Sequence, residues 1–297
     1  MLDALGVLFL SPNILSQGLI LSLAVLGFSI SLRLLAYADL TLEGSFVLGG
    51  VIASMIITKG MSPYIALSLS LVGGMLTGIF TACLHCYAKI NKLLSGIITL
   101  TILYSVNLRL QNGSNSSFYN LTTAFSDLTD IGILTKVVVF SLLAFSIIAT
   151  ILYTRYGLLL RACGENVKII QRSGHNKNVL IVSGLAISNA LICFSGSLFS
   201  QYFGFSDVSL GNGLIISSLT ALIIGEIIIR PRTVITFICA VVIGSLVTQF
   251  IYSICLYVNL NPSDYKGIVG VVLIVLIIVR RYASKGKDTV TFGSEVF

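Results

Sequence analysis

Ionisable residues are what this chain has least of. Only 10% of its 297 residues are Asp, Glu, Lys or Arg, while 56% are hydrophobic, against roughly 25% and 45–50% in ordinary soluble domains. So few charges cannot cover so much apolar surface in water, which excludes a soluble fold. Histidine is nearly absent, with His85 and His175 alone. There is no paired-His helix, no Gly-x-Ser-x-Gly elbow, no Gly-x-x-x-x-Gly-Lys-Ser/Thr loop and no carboxylate pair within an apolar run. The chain is therefore not read as an enzyme and no cofactor is expected; any energised work must be driven by another chain or by an ion gradient. Six cysteines follow no repeated spacing, and Cys83, His85 and Cys86 lack a second ligand pair nearby, so they read as core packing rather than a metal site.

What is present is a series of apolar runs, several longer than the ~20 residues that a helix needs to cross hydrocarbon. They lack the alternation of a β-barrel, and a lipid-exposed strand edge would leave backbone groups unpaired. The expected fold is all-α: a polytopic transmembrane helical bundle of about nine spans (eight to ten), near 14–32, 46–58, 64–88, 93–110, 135–153, 179–203, 214–229, 233–257 and 267–281. The whole chain, 1–297, reads as one transmembrane domain. The second and seventh runs are short and rich in small residues, and are expected to be broken, tilted or buried. The first run follows Asp3 with no Lys or Arg before it, so it reads as a retained helix rather than a signal peptide.

Alternating the loops between two sides gathers most Lys and Arg on one face and leaves Lys59, Arg109, Lys136 and Lys266 on the other. The positive-inside rule makes the first face cytoplasmic. The N-terminus is then outside, and the C-terminus, with a tail over 283–297, is inside. The net charge of +7 reflects this topology and anionic headgroups rather than nucleic-acid binding. The expected location is a bacterial cytoplasmic membrane.

Two hydrophilic stretches stand out. Residues 111–133, with Gln111-Asn112-Gly113-Ser114-Asn115-Ser116-Ser117 and no Lys or Arg, form an external loop; Asn115-Ser116-Ser117 reads as a polar turn rather than a glycosylation site. The second, 154–178, is cytoplasmic. Gly164 is placed to end one helical piece, Asn166 to cap another of about two turns reaching Arg172, and Gly174 to terminate it. A short helix standing off the membrane suits docking by a partner protein.

Thr154-Arg155-Tyr156-Gly157, Arg161-Ala162-Cys163-Gly164-Glu165-Asn166 and Gly174-His175-Asn176 resemble the coupling region of ABC-importer permeases of the branched-chain amino acid type. Within that group the chain is most similar to permeases of tryptophan/tyrosine-type uptake systems. Tyr37-Ala38-Asp39-Leu40-Thr41-Leu42-Glu43-Gly44-Ser45-Phe46, Tyr104-Ser105-Val106-Asn107-Leu108-Arg109 and Ser188-Asn189-Ala190-Leu191 agree, and the similarity covers nearly the whole chain. Departures occur at Ile169-Ile170-Gln171, at His175 where Ile is usual, and at Asn112-Gly113-Ser114-Asn115; they bear on the solute rather than the architecture. The resemblance implies a permease subunit moving a small solute, a hydrophobic, aromatic or branched-chain amino acid. It also implies a second permease copy, an external substrate-binding protein and cytoplasmic ATP-binding cassette subunits. Arg161, Gly164, Glu165, Asn166, Arg172 and Gly174 would then form the ATPase-coupling site.

An internal echo points the same way. Asp39-Leu-Thr-Leu-Glu-Gly-Ser-Phe-Val before the second run matches Asp207-Val-Ser-Leu-Gly-Asn-Gly-Leu-Ile before the seventh. The charge-based topology puts the two on opposite sides of the membrane, as in pseudo-twofold inverted-repeat transporters. Polar residues within spans are expected to face the bundle or a water-filled path, and Asn107, Ser188, Asn189 and Gln249, with Glu226, are the candidates for a substrate pathway. The competing role for each is interhelical hydrogen bonding. Gly49, Gly50, Gly73, Gly74, Gly78 and Gly96 are expected to permit close helix contact. A secondary transporter is the alternative function, which would call for more intramembrane carboxylates than Glu226.

Overall fold

The computed structural model describes residues 11–126, 128–166, 170, 172–258 and 262–284. Ten α-helices make up nearly all of it: α1 Pro12–Ser29, prolonged by a π-helical turn Ile30–Leu34; α2 Leu42–Thr58; α3 Pro63–Cys86; α4 Lys92–Gln111; α5 Asp130–Tyr153; α6 Arg155–Glu165; α7 Lys177–Phe203; α8 Leu214–Ile228; α9 Val234–Tyr257; and α10 Pro262–Ser284. Each of the nine expected runs holds a helix. Among the described residues seven helical segments are long and apolar enough to cross a membrane, and α2 is a shorter apolar helix. The tail expected over 283–297 lies outside the described residues apart from its first two positions, which continue α10.

Local chemistry sets the ends. Pro63 opens α3 at a first-turn position that needs no N–H. Asn91 and Asn176 cap α4 and α7 with their side chains, and Thr233 with Thr236 forms a reciprocal capping box on α9. At the other end, Asn112 and Gly204 stop α4 and α7 in the left-handed conformation.

The chain divides into two compact units. One comprises Leu26–Asp127 and Thr150–Leu214; the other comprises Met1–Val25, Leu128–Ala149 and Ile215–Phe297. In the first, α2 and α7 cross where neither has a side chain. A Cβ on Gly49 would lie 1.9 Å from the Cys193 carbonyl oxygen, and one on Gly196 1.9 Å from that of Phe46. The second unit repeats the device between α8 and α9, with Gly225 against Ala240 and Gly244 against Ala221. In lipid, where tails are as apolar as leucine, close packing of this kind is what holds helices together. Gly74 and Gly78 of α3 sit equally close to the α7 backbone, as the glycine pattern leads one to expect.

Two findings depart from the sequence reading. Asn115–Ser117 is a strand, β1, paired antiparallel with β2, Phe205–Asp207, in the register Asn115 to Asp207; it is not a simple turn. The pair is fastened to helices by Ser54 Oγ donating to Ser116 Oγ (2.7 Å) and by Gln111 Nε2 donating to the Ser206 carbonyl (2.7 Å). Second, the stretches around Asp39 and Asp207 do not lie a bilayer apart. After β2 the chain runs along α2 as a 3₁₀ turn, Val208–Gly211, with Gly211 against Glu43 and Val47, and Glu43 Oε1 accepts the Gly213 N–H at 2.8 Å. At 17 and 15 residues, α2 and α8 are ~25 and ~22 Å long by helix rise, short of the ~30 Å hydrocarbon layer. Their entry segments make up the difference by running into the protein, and so they meet. Both use the same turn: Asp39 Oδ1 accepts from the Thr41 N–H (2.9 Å), and Asp207 Oδ1 from the Ser209 N–H (2.6 Å).

Candidate transport and coupling sites

The connection between the π turn and α2 carries a buried polar cluster. Asp39 is 1% exposed. Its Oδ1 accepts the Thr41 N–H and the Thr41 hydroxyl (2.5 Å), and its Oδ2 accepts from Asn189 Nδ2 at 2.7 Å. Asn189, the thirteenth residue of the 27-residue α7, spends its other amide proton on the Leu185 carbonyl (3.1 Å) and accepts at Oδ1 from Ser45 Oγ (2.7 Å). Thr41 Oγ1 also lies 3.0 Å from Asn189 Oδ1, but one proton serves one strong bond, and the shorter contact to Asp39 takes it. No salt bridge to Asp39 is found among the described residues; neutral and backbone donors surround the carboxylate. Buried polar groups this fully satisfied fix one geometry.

The same connection is held at its other end. Tyr37 Oη and Ser95 Oγ are 2.5 Å apart, Lys92 Nζ donates to the Ala36 carbonyl (3.1 Å), and His85 meets the Tyr37 ring edge-on. His85 Nδ1 lies 2.7 Å from the Ile90 carbonyl oxygen, closing the turn between α3 and α4.

Of the residues singled out for a pathway, Asn189 is the node of this cluster. Ser188 is fully buried and donates to the Gly27 carbonyl at 2.7 Å, tying α7 to α1. Asn107 is 1% exposed and reaches the Gly44 carbonyl at 3.2 Å, tying α4 to the start of α2. Gln249 donates to Gln17 Oε1 at 2.6 Å within the second unit, and Glu226 of α8 is buried. Asn107, Ser188, Asn189 and Gln249 thus all make hydrogen bonds between helices, Asn107 and Asn189 to adjacent residues of α2, Gly44 and Ser45.

Segment 154–178 holds a described helix, α6, Arg155–Glu165, which ends where Gly164 was expected to end a helical piece; of the second piece expected, from Asn166 to Arg172, Ile170 and Arg172 are helical. Residues 167–169 and 171 of that piece lie outside the described residues, and Asn166 is extended at the end of α6. The helix is amphipathic: Gly157, Leu160 and Cys163 fall on one face of α6 and are buried, while Arg155, Leu158 and Glu165 are exposed. Leu160, Cys163 and Ile170 pack into a cluster with Leu35, Tyr37, Ala82, Leu180 and Leu185. A Cβ on Gly164 would lie 2.2 Å from the Leu34 carbonyl oxygen, so α6 rests directly on the backbone leading to Asp39. Arg161 is half-buried, and burial holds its guanidinium below its ordinary range. Glu165, Asn166, Arg172 and Gly174 are exposed. Gly174 has φ +77°, and the His175 N–H bonds to the Ile170 carbonyl (3.2 Å), a left-handed helix stop where glycine was expected to provide one.

Ten helices among the described residues, seven of their segments long and apolar enough to cross a membrane, with an amphipathic helix docked against the connection between two of them, describe a polytopic membrane protein. The family described as branched-chain amino acid transport system, permease component, matches residues 11–278. The chain belongs to this family, that of the membrane-spanning permease components of ABC transporters. It is 32% identical to the tyrosine transport system permease protein of Clostridioides difficile over 265 residues, 89% of each chain. It is 23% identical to the ribose import permease protein RbsC of Haemophilus influenzae, over 90% of this chain and 83% of that one. A solved metal-chelate type ABC transporter in an inward-facing conformation shares the fold, with a TM-score of 0.53 at 14% identity, covering 91% of this chain and 86% of that one.

Proposed function

We propose that this permease passes an amino acid, of the hydrophobic or aromatic kind, inward across a bacterial cytoplasmic membrane. Two copies form the pore, an external binding protein delivers the solute, and ATPase subunits grip segment 154–178 on the cytoplasmic side, with the N-terminus outside. The observation that carries the reading is the contact of α6 with the Leu34–Leu35 backbone. A force on the exposed side of α6 reaches, within five residues of chain, the Asp39–Asn189 cluster in the middle of α7. Arg161, Glu165, Asn166 and Arg172 supply polar contacts there and Gly164 and Gly174 its geometry. Exposed ion pairs contribute only ~0–1 kcal/mol each, so Leu158, 61% exposed, supplies apolar docking area. The 32% identity to a tyrosine permease supports the aromatic solute.

The test is affinity purification in mild detergent followed by reconstitution with the co-purifying subunits. An ATPase is expected with the unsubstituted chain and not with Gly164→Pro/Glu165→Arg, and ATP-driven uptake of labelled tyrosine is expected to be competed by aromatic amino acids and not by ribose. An ATPase retained by the double variant rejects the docking site, and competition by ribose rejects the solute class.

A further inference from the structure

The outward faces of α3 and α4, neighbours in the first unit, differ in chemistry. Between Leu69 and Phe80 the exposed positions of α3 are Leu69, Val72, Met75, Leu76, Ile79 and Phe80, a surface suited to lipid chains. Helix α4 is the least apolar of the seven segments long enough to span and is mostly unburied. Its exposed positions include Leu93, Leu94, Ile97, Tyr104 and Leu110, and among them Thr101, Ser105 and Arg109 form a polar stripe at four-residue spacing on one side of the helix. With Ile102 and Val106 they line a shallow groove.

The stripe extends for about 12 Å, from mid-helix to the last turn. An arginine at a helix end can reach an interface by itself, but that does not account for hydroxyls in the middle of a bare face. Thr101 returns its proton to the Ile98 carbonyl (2.8 Å), whereas no partner for the Ser105 hydroxyl, nor any ion pair of Arg109, is found among the described residues. Hydroxyls exposed in the middle of a spanning helix, in line with an arginine at its end, belong where water reaches them.

We propose that this face of α4 lines the aqueous path of the solute, and that the Arg109 guanidinium receives the solute's carboxylate. A planar fork of donors suits a carboxylate in two parallel hydrogen bonds. The inference rests on the reading of the chain as an amino-acid permease and adds the residue that recognises the group all amino acids share. The buried candidates Asn107 and Asn189 then hold the helix scaffold, and the path is carried by residues that the first unit leaves uncovered.

The test places single cysteines, Ser105→Cys on the stripe and Val72→Cys on the apolar face of α3, in the assembled transporter with Cys239→Ser, in membranes open on both sides. The probes are small anionic and cationic methanethiosulfonates. Ser105→Cys is expected to react much faster than Val72→Cys and to favour the anionic reagent about tenfold; adding Arg109→Gln abolishes that preference, and Arg109→Lys retains it. A Ser105→Cys as unreactive as Val72→Cys, as under lipid or a second copy of the chain, overturns the path. A reactive Ser105→Cys whose charge preference ignores Arg109→Gln overturns the role of Arg109. Neither readout needs ATP or an identified solute, so failure of the amino-acid reading registers separately, as loss of ATP-driven tyrosine uptake.

Discussion

Glu43 and Gly213 stand 170 positions apart, and the Glu43 carboxylate accepts the Gly213 backbone N–H at 2.8 Å. The bond joins the first turn of α2 to the residue that opens α8, whose first N–H groups have no intrahelical acceptor. The entry segments of the two shortest apolar helices thereby stabilise each other.

Glu43→Ala is expected to lower stability by about 1.5–3 kcal/mol, the range for a hydrogen bond to a charged group, and Glu43→Gln by less, because it keeps an acceptor oxygen. Thermal unfolding midpoints of the purified chain in one detergent compare the two. Equal midpoints for Ala and Gln would show that the carboxyl oxygen contributes nothing.

Asn189→Asp sets a second carboxyl against Asp39, without cation partners among the described residues. The loss is expected to exceed the ~1–3 kcal/mol of a single unsatisfied group. In the double variant Asn189→Asp/Asp39→Asn the amide and the carboxylate trade places and most of the loss returns. A double-mutant cycle on folded yield and midpoint measures the coupling; simple additivity would mean that the two residues do not act as a pair.

Gly49→Ala and Gly60→Ala separate two costs. At Gly49 a methyl meets the Cys193 carbonyl at 1.9 Å; at Gly60 it meets nothing, but φ is +72°. Overpacking the α2–α7 crossing is expected to cost about 3 kcal/mol and to reduce assembly in the membrane. The exposed turn should lose about 1 kcal/mol.

Gly164→Ala is expected to lift α6 off the Leu34 carbonyl and so weaken the link between ATP hydrolysis and solute movement, leaving ATPase turnover that no longer rises with loaded binding protein. Gly174→Ala, in open space at φ +77°, is expected to lose about 1 kcal/mol locally and keep the coupling. Hydrolysis and uptake measured side by side in proteoliposomes decide between these outcomes.

Helix positions were legible because apolar run length is a one-dimensional signal: expected 64–88 and 233–257 became Pro63–Cys86 and Val234–Tyr257. Where polar residues inside the runs govern the structure, the sequence says less. Asn189 and the Asp39 stretch were each conspicuous, yet their pairing depends on a crossing 150 positions apart that no local period encodes. α2 begins four residues before its expected start, because Leu42 to Ser45 mix apolar, acidic and small residues that only burial against α4 and α7 explains. The end of helix α6 was legible at Gly164, but its start at Arg155 and its buried face, Gly157, Leu160 and Cys163, depend on packing that run length does not report.

The small β1–β2 ribbon also constrains the order of manufacture. Ser117 and Phe205 are paired but separated by 88 positions, and at the ribosome's pace of ~5–20 residues per second the first strand waits roughly 4–18 s for its partner. Through that interval Asn115, Ser116 and Ser117 are without their strand partners while α5, α6 and α7 are made. The ribbon is thus a late seal on insertion, and a chain halted by the translocation machinery before α7 has no means of closing it.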